Sequence, residues 1–304
     1  MAHSDMRKVR GGSGAPNISR TQMLLSRAKA VRGYIRTVIG FSWTNPANEG
    51  ARILAVLRLM FFELRGRVLR RRTRVRLGKR SSMWADVHRW ESSKVAYASL
   101  PDYQEMSVWQ GFLRSGDLFV DVGANVGSYA ILAAELGAQV IALEPADDTF
   151  SLLRENVALN GYSVTALQAA AGATCGTARF TSGLDCVNHF DPTGPVQARV
   201  VTIDSLIEDR YLAGMKVDVE GFEIEVLRGC KKALSEHRIG LIQLEWNQTS
   251  LGVLGTDRRP LADYLAEHGY ELYRPSRDGL LLPLAGVDFG SDVFARPGSQ
   301  SGHT

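Results

Sequence analysis

Four short stretches place chemically capable side chains at the ends of apolar runs. FVDVGANVGSYA, residues 119–130, runs into Asp121 and then turns through Gly123 and Gly127. IALEP ends in Glu144 and Pro145, with Glu144 21 residues beyond Gly123. MKVDVEGFEIEVLRG alternates Lys216, Asp218 and Glu220 with valines, and LIQLEWN ends in Glu245. Carboxylates in such places accept hydrogen bonds from hydroxyl and amino groups or take up protons, and an ammonium pairs with them or polarises an oxygen.

The glycine turn selects among ligands. The dinucleotide fingerprint GxGxxG needs its second glycine so that backbone can approach a pyrophosphate. Here the pattern is D-x-G-x-N-x-G, and Asn125 stands where that space must be clear. A ligand without a pyrophosphate is favoured, and S-adenosylmethionine is one. Asp121 suits its amino group, and amides around Gly123 and Gly127 can meet its carboxylate. Glu144 can accept both ribose hydroxyls. The plainer alternative makes Asp121 and Glu144 ordinary strand-end caps.

The third and fourth stretches admit two readings each. Lys216 and Asp218 read as a functional charged pair at a strand end, or as a self-satisfied structural pair. Glu220 and Glu223 can simply complement the next helix N-terminus, which is the preferred reading for Glu223. Glu245 can orient substrate, pair with Lys216 or act as base. His189 and Asp185, in SGLDCVNHF, lie in an irregular segment able to cover a cleft; His189 is a further candidate base.

These residues need elements to hold them. Strand patterns at 118–122, 139–143, 164–169, 215–219 and 239–244 alternate with helical patterns at 128–136, 147–160, 222–234 and 260–268. Asp147 reads as the cap of its helix. Short strands are expected at 177–181 and 198–202, and YELYRP, GLLLPL and SDVFARP read as closing strands. Strand–helix alternation implies an α/β fold with a mostly parallel sheet covered on both faces. Ligands in such folds sit beyond the carboxyl ends of the strands, where all four stretches place their charges.

Charge divides the chain. Residues 1–114 hold 22 Lys/Arg against 7 Asp/Glu, and the remainder 14 against 25. Residues 1–20 and 298–304 read as disordered tails, 21–100 as a basic, mostly helical extension, and 101–297 as the main domain. A weak helix is expected over 21–45, and a helix leading into the main domain over 101–114. Between them ILAVLRLMFFEL reads as a helix with a broad apolar face, running on into RGRVLRRRTRVRLGKR, with nine basic residues in sixteen. Residues 50–80 can therefore lie on an anionic membrane, grip nucleic acid or pack on the main domain, the usual fate of an amphipathic helix. Cys175, Cys186 and Cys230 form no CxxC pair, which fits a reducing cytoplasm. No leader with an apolar centre is visible, and the most apolar stretch, 53–64, is too short to cross a bilayer.

Taken in order, SGDLFVDVGANVGSYA, LEP, VVTIDSL, KVDVEGFEIEVLRG and LEWN resemble the FkbM family of S-adenosylmethionine-dependent methyltransferases, over about residues 105–295. The resemblance implies a class I (Rossmann-like) methyltransferase fold with a seven-stranded sheet, one strand antiparallel near its edge. It implies O-methylation of a hydroxyl on a sugar, glycolipid or polyketide-type metabolite. The family's KIDVEGAE stands here as KVDVEGFE, so Phe222 can alter the pocket wall. The cofactor positions are then Asp121, Gly123, Ala124, Asn125, Gly127, Glu144, Pro145 and Ala169, with Asp185 a further candidate. Lys216, Asp218, Glu220, Glu245 and His189 are the catalytic candidates. A magnesium ion on Asp218 and Glu245 is an open option, and no metal ligand is assigned. The expected partner is a small-molecule or lipid-linked hydroxylated acceptor, without nucleic acid. The expected location is the cytoplasm, with peripheral contact at the inner membrane face an option. The rival readings are an NAD-dependent oxidoreductase, an RNA methyltransferase gripping through the arginines, and a non-catalytic membrane-surface protein.

Overall fold

The computed structural model describes residues 20–180, 194, 196–219, 221–246, 258–284 and 292–298. The chain forms two compact units, residues 1–41 and 42–304. Helix α1 (Arg20–Thr44) makes up most of what is described of the first. The second opens with α2 (Arg52–Leu69), a hairpin of β1 (Thr73–Leu77) and β2 (Ser81–Ala85), then α3 (Trp90–Tyr97) and α4 (Tyr103–Phe112).

The arginine-rich run is therefore not one continuing helix. Arg70 takes the left-handed conformation at φ 50° and ends α2. Beyond it Thr73, Val75 and Leu77 alternate inward while Arg74 and Arg76 face water, a period of two that only a strand satisfies.

Alternation then sets in as expected. β3 (Leu118–Val122), α5 (Ser128–Glu135), β4 (Gln139–Leu143), α6 (Asp147–Asn160) and β5 (Val164–Leu167) follow one another. Asp147 is the first residue of α6, and Ala146 holds the cap position. β6 (Ala170–Ala171), β7 (Gly176–Phe180) and β8 (Val196–Val201) make a separate three-stranded sheet. After α7 (Ile203–Ile207) comes β9 (Leu212–Val217). The helix expected over 222–234 is two, α8 (Glu223–Arg228) and α9 (Lys231–Ser235), parted at Gly229 and Cys230. A Cβ at Gly229 would lie 2.2 Å from the Gly172 carbonyl oxygen, so the chain at the break packs too closely for a side chain. β10 (Ile239–Leu244), α10 (Arg259–Glu267), β11 (Tyr270–Pro275), β12 (Leu281–Pro283) and β13 (Val293–Pro297) complete the order.

The main sheet has eight strands in the order β12-β11-β13-β10-β9-β3-β4-β5. β5, β4, β3, β9 and β10 are parallel, and β13 runs antiparallel between β10 and β11. This is the class I methyltransferase arrangement. The eighth strand, β12, is an addition to the expected seven and folds back on β11 at the edge. Both faces are covered, Val120, Val122, Met215 and Val217 packing on one side and Phe119 with Trp109 and Ile131 on the other. Two-sided burial is why these strands read as unbroken apolar runs.

Glu135 ties the hairpin to the sheet layer. Its carboxylate accepts from the amides of Lys79 (2.9 Å), Arg80 (3.0 Å) and Ser81 (2.7 Å) and from the Ser81 hydroxyl. Burial opposes the charge, but these donors win and hold the Glu135 pKa below the usual carboxylate value. Its stabilisation is thus present above the ordinary Glu pKa and fades as pH falls through the lowered one. Glu135→Ala strands those amides, and we expect it to cost about 2–4 kcal/mol in chemical denaturation at neutral pH.

Candidate active site

Asp121 and Glu144 stand at the carboxyl ends of the neighbouring parallel strands β3 and β4. Asp121 is buried. Its Oδ2 accepts from the Ala130 amide at 2.9 Å, while its Oδ1 is equally buried and has no hydrogen-bond partner. Burial pushes its pKa up to about 6, with the Lys216 ammonium pulling it back. Buried polar atoms are nearly always paired, so this oxygen marks a place made for a donor.

The turn from β3 into α5 is held by backbone hydrogen bonds to the end of β4 and within itself. The amides of Gly123 and Ala124 both donate to the Leu143 carbonyl, at 3.0 and 2.9 Å, and that of Gly127 donates to Ala124 at 2.8 Å. These three were expected to meet a carboxylate, but their N–H groups are already committed to closing the turn. Gly123, Asn125 and Gly127 all have positive φ, at 76°, 49° and 94°.

Glu144 clamps this turn. Its Oε2 accepts from the Asn125 amide and its Oε1 from the Ala146 amide, both at 3.0 Å. Burial pushes its pKa up to about 7 against those two hydrogen bonds. A carboxylate has roughly four acceptor sites, so each oxygen retains one for a neighbouring pair of hydroxyls. Pro145 is half-buried beside it, and Ala124 and Ala169 are buried.

Lys216 on β9 lies in register with Asp121 on β3. Its Nζ reaches Asp218 Oδ2 at 2.6 Å and sits 4.7 Å from the centre of the Tyr129 ring. Burial disfavours the ammonium, but Asp218 and Asp121 outweigh it and raise the Lys216 pKa. Burial likewise opposes ionised Asp218, yet Lys216 and a hydrogen bond from Glu245 hold its pKa below the ordinary value. The Asp218 side chain is 37% exposed and that of Lys216 6%, so the acid is the open end of the pair. Glu245 follows β10, its amide bonded to the Val217 carbonyl at 3.1 Å.

Asp218 is thus already spanned by an ammonium, which does not suit a magnesium ion shared with Glu245. Among the described residues no group of three or more His, Cys, Asp or Glu is arranged to hold a metal. Glu223 is structural, as expected: it accepts from the Gly221 amide at 2.8 Å and pairs with buried Arg258 at 2.6 Å. The Phe222 ring lies beside Gly172. Glu220, His189, Asp185 and Asn247 lie outside the described residues, as do Cys186 and most of both expected tails. Cys175 and Cys230 are free thiols.

The methyltransferase FkbM domain model matches residues 121–272, half of the chain. The chain belongs to the FkbM methyltransferase family. A hexuronic acid methyltransferase, AglP of Haloferax volcanii, is 30% identical over 134 residues, 42% of this chain and 56% of that protein. Ribosomal RNA large subunit methyltransferase E of Archaeoglobus fulgidus is 36% identical over 61 residues, 19% of this chain and 32% of that protein. The chain thus spans about half and a third of the lengths of these relatives. Among solved structures, a precorrin-6y C5,15-methyltransferase from Geobacter metallireducens superimposes with a TM-score of 0.40 at 13% identity, over 65% of this chain and 90% of that one.

This FkbM chain brings further residues to the site, several of them from outside the matched span. Lys94 of α3 pairs with Glu91 at 2.9 Å and Asp102 at 3.4 Å, and its charge reaches Asp218. Burial pushes Glu105 of α4 up to about 7 and Asp292 up to about 6. Gln243 of β10 donates to Asp292 at 2.7 Å and to the Tyr129 hydroxyl at 3.3 Å, and accepts from the Trp109 indole at 2.5 Å. In sequence, Glu91 and Lys94 look like an ordinary surface pair three apart on a helix. The sole hint was the number of acids in WESSK and PDYQE, on an extension otherwise dominated by arginine.

Proposed function

We propose that the chain transfers a methyl group from S-adenosylmethionine to a hydroxyl of a sugar or sugar-bearing lipid. The observation that carries the cofactor is the buried, unpaired Asp121 Oδ1 beside a Glu144 whose oxygens each keep an acceptor site. Asp121 would take the amino group and Glu144 the ribose hydroxyls; Gly123, Asn125 and Gly127 shape the turn between them. When bound, the cofactor supplies a methyl carbon already activated by a sulfonium.

The chain's own residues do the rest. Lys216 stays protonated and keeps Asp218 ionised. Asp218, open to the cleft, orients the acceptor hydroxyl and takes its proton as the new oxygen–carbon bond forms. A hydroxyl oxygen gaining a methyl becomes strongly acidic, so a carboxylate of low pKa suffices. Positioning of this kind supplies much of the rate. A sugar acceptor is supported by the hexuronic acid methyltransferase among the relatives and by the several acids that α3 and α4 add, which suit a polyhydroxylated ligand.

The test is incubation with methyl-labelled S-adenosylmethionine and a panel of uronic acids, neutral sugars and glycolipids, beside ribosomal RNA. Label in a methyl ether of a sugar is expected; label in RNA alone would replace this reading with the RNA one. Calorimetry adds a check by pH. The cofactor's amino group needs ionised Asp121, so below the site's pKa of about 6 affinity should fall about tenfold per pH unit. Binding near that pH should release a proton, and Asp121→Asn should remove the part that Asp121 sets, leaving the contribution of Glu144, whose pKa is pushed up to about 7.

A further inference from the structure

Helix α2 is apolar on two opposite faces. Ala55, Leu59, Phe62 and Gly66 are buried. Ile53, Leu57, Met60, Phe61, Leu64 and Val68 are each 56–72% exposed. At about 100° per residue the second set forms one continuous stripe diametrically opposite the first. Water-facing helix surfaces are normally polar, and a contiguous apolar stripe marks an interaction site.

Charge says what kind. Exposed Arg58 and Arg67 flank the stripe, and Arg70, Arg71, Arg74 and Arg76 continue from its end onto the outward face of β1, all exposed. Apolar side chains bordered by arginines match a lipid interface, where the stripe enters the acyl boundary and the guanidinium groups meet anionic headgroups. A second copy's stripe, itself without an acidic side chain, would bring no counter-charge to the arginines. A nucleic-acid backbone would leave the stripe in water. No described helix is long and apolar enough to cross a membrane, so the helix would lie flat.

We propose that α2 and the outer face of β1 seat the protein on an anionic lipid bilayer. The proposal is independent of the reaction in the cleft. A chain so seated meets a lipid-borne acceptor within one surface.

The test is co-sedimentation of the full chain with vesicles of phosphatidylcholine alone or mixed with phosphatidylglycerol, at about 0.1 M salt, where charges act over about 10 Å. Binding is expected to the mixed vesicles and to be weaker on neutral ones by about tenfold or more. The pair Phe61→Glu with Leu64→Glu should abolish it, and Arg74→Glu with Arg76→Glu should weaken it by a similar factor. Both pairs change exposed side chains, so unchanged thermal melting would show them folded. Failure of the folded wild type to sediment with mixed vesicles overturns the proposal, and so does equal binding by either folded pair. A wild-type dimer that becomes a monomer in Phe61→Glu with Leu64→Glu, without vesicle binding, would assign the stripe to a second copy instead.

Discussion

Gly123→Ala is expected to cost the fold about 2–5 kcal/mol and to abolish binding of S-adenosylmethionine. Two effects add. Gly123 has φ 76°, in the left-handed region that costs other residues about 1–2 kcal/mol. A Cβ there would also lie 1.9 Å from the Asp218 carbonyl oxygen. That atom is backbone at the end of β9, whose amide is bonded to Val122 at 3.0 Å, so it cannot swing aside as a side chain would. Overpacking of this kind typically costs a further 1–3 kcal/mol or more. Gly127→Ala would be milder, because its Cβ would meet the Leu153 methyl at 2.6 Å, the end of a flexible side chain. Denaturation and calorimetry on the two variants should rank them in that order. Equal, small losses would show that the turn does not depend on the close approach of β3 and β9.

Asp218→Asn should lower kcat by about 10²–10⁴-fold while leaving cofactor affinity nearly intact. The amide keeps the shape but takes no proton. It also removes the counter-charge that keeps Lys216 stable as a buried ammonium, so Lys216 titrates at lower pH in the variant. A pH profile of residual activity that gains a new alkaline limb would report that change, and a loss confined to kcat with cofactor affinity kept is what separates a proton acceptor from a merely structural partner of Lys216. If kcat survives the substitution, the proton goes elsewhere, and Glu245 becomes the group to test. The wild type should keep an acid limb near pH 6 in kcat/KM for the cofactor, set by Asp121.

The placing of Asp121 and Glu144 at neighbouring strand ends was legible because its signals are local. A strand, a glycine turn and an acid ending the next strand occupy a short span, and parallel pairing puts Asp121 and Glu144 side by side without further information. The Lys216–Asp218 pair was legible for the same reason, two residues apart at a strand end. What escaped was set by tertiary packing. Lys94 and Asp292 come within electrostatic reach of Asp218 from elements far apart in sequence, and each looks solvated in its own window. The amides of the glycine turn were assigned to a ligand because donors can be counted from sequence while their acceptors cannot. Residues 70–77 were misjudged where composition masked a change of period, arginine being equally at home on a helix and on an exposed strand face. The short edge strand β12 was legible in GLLLPL, but its place as an eighth strand beyond the seven was not, because sheet order is set by pairing rather than by local pattern.

That short strand bears on how the molecule can assemble. An open sheet edge offers unpaired amides and carbonyls to any neighbouring chain. β12 covers the edge of β11 with only three residues and ends in Pro283, which has no N–H to give. It acts as a stopper: joining two copies by continuing the sheet across this border is disfavoured, and an edge-to-edge polymer has no footing here.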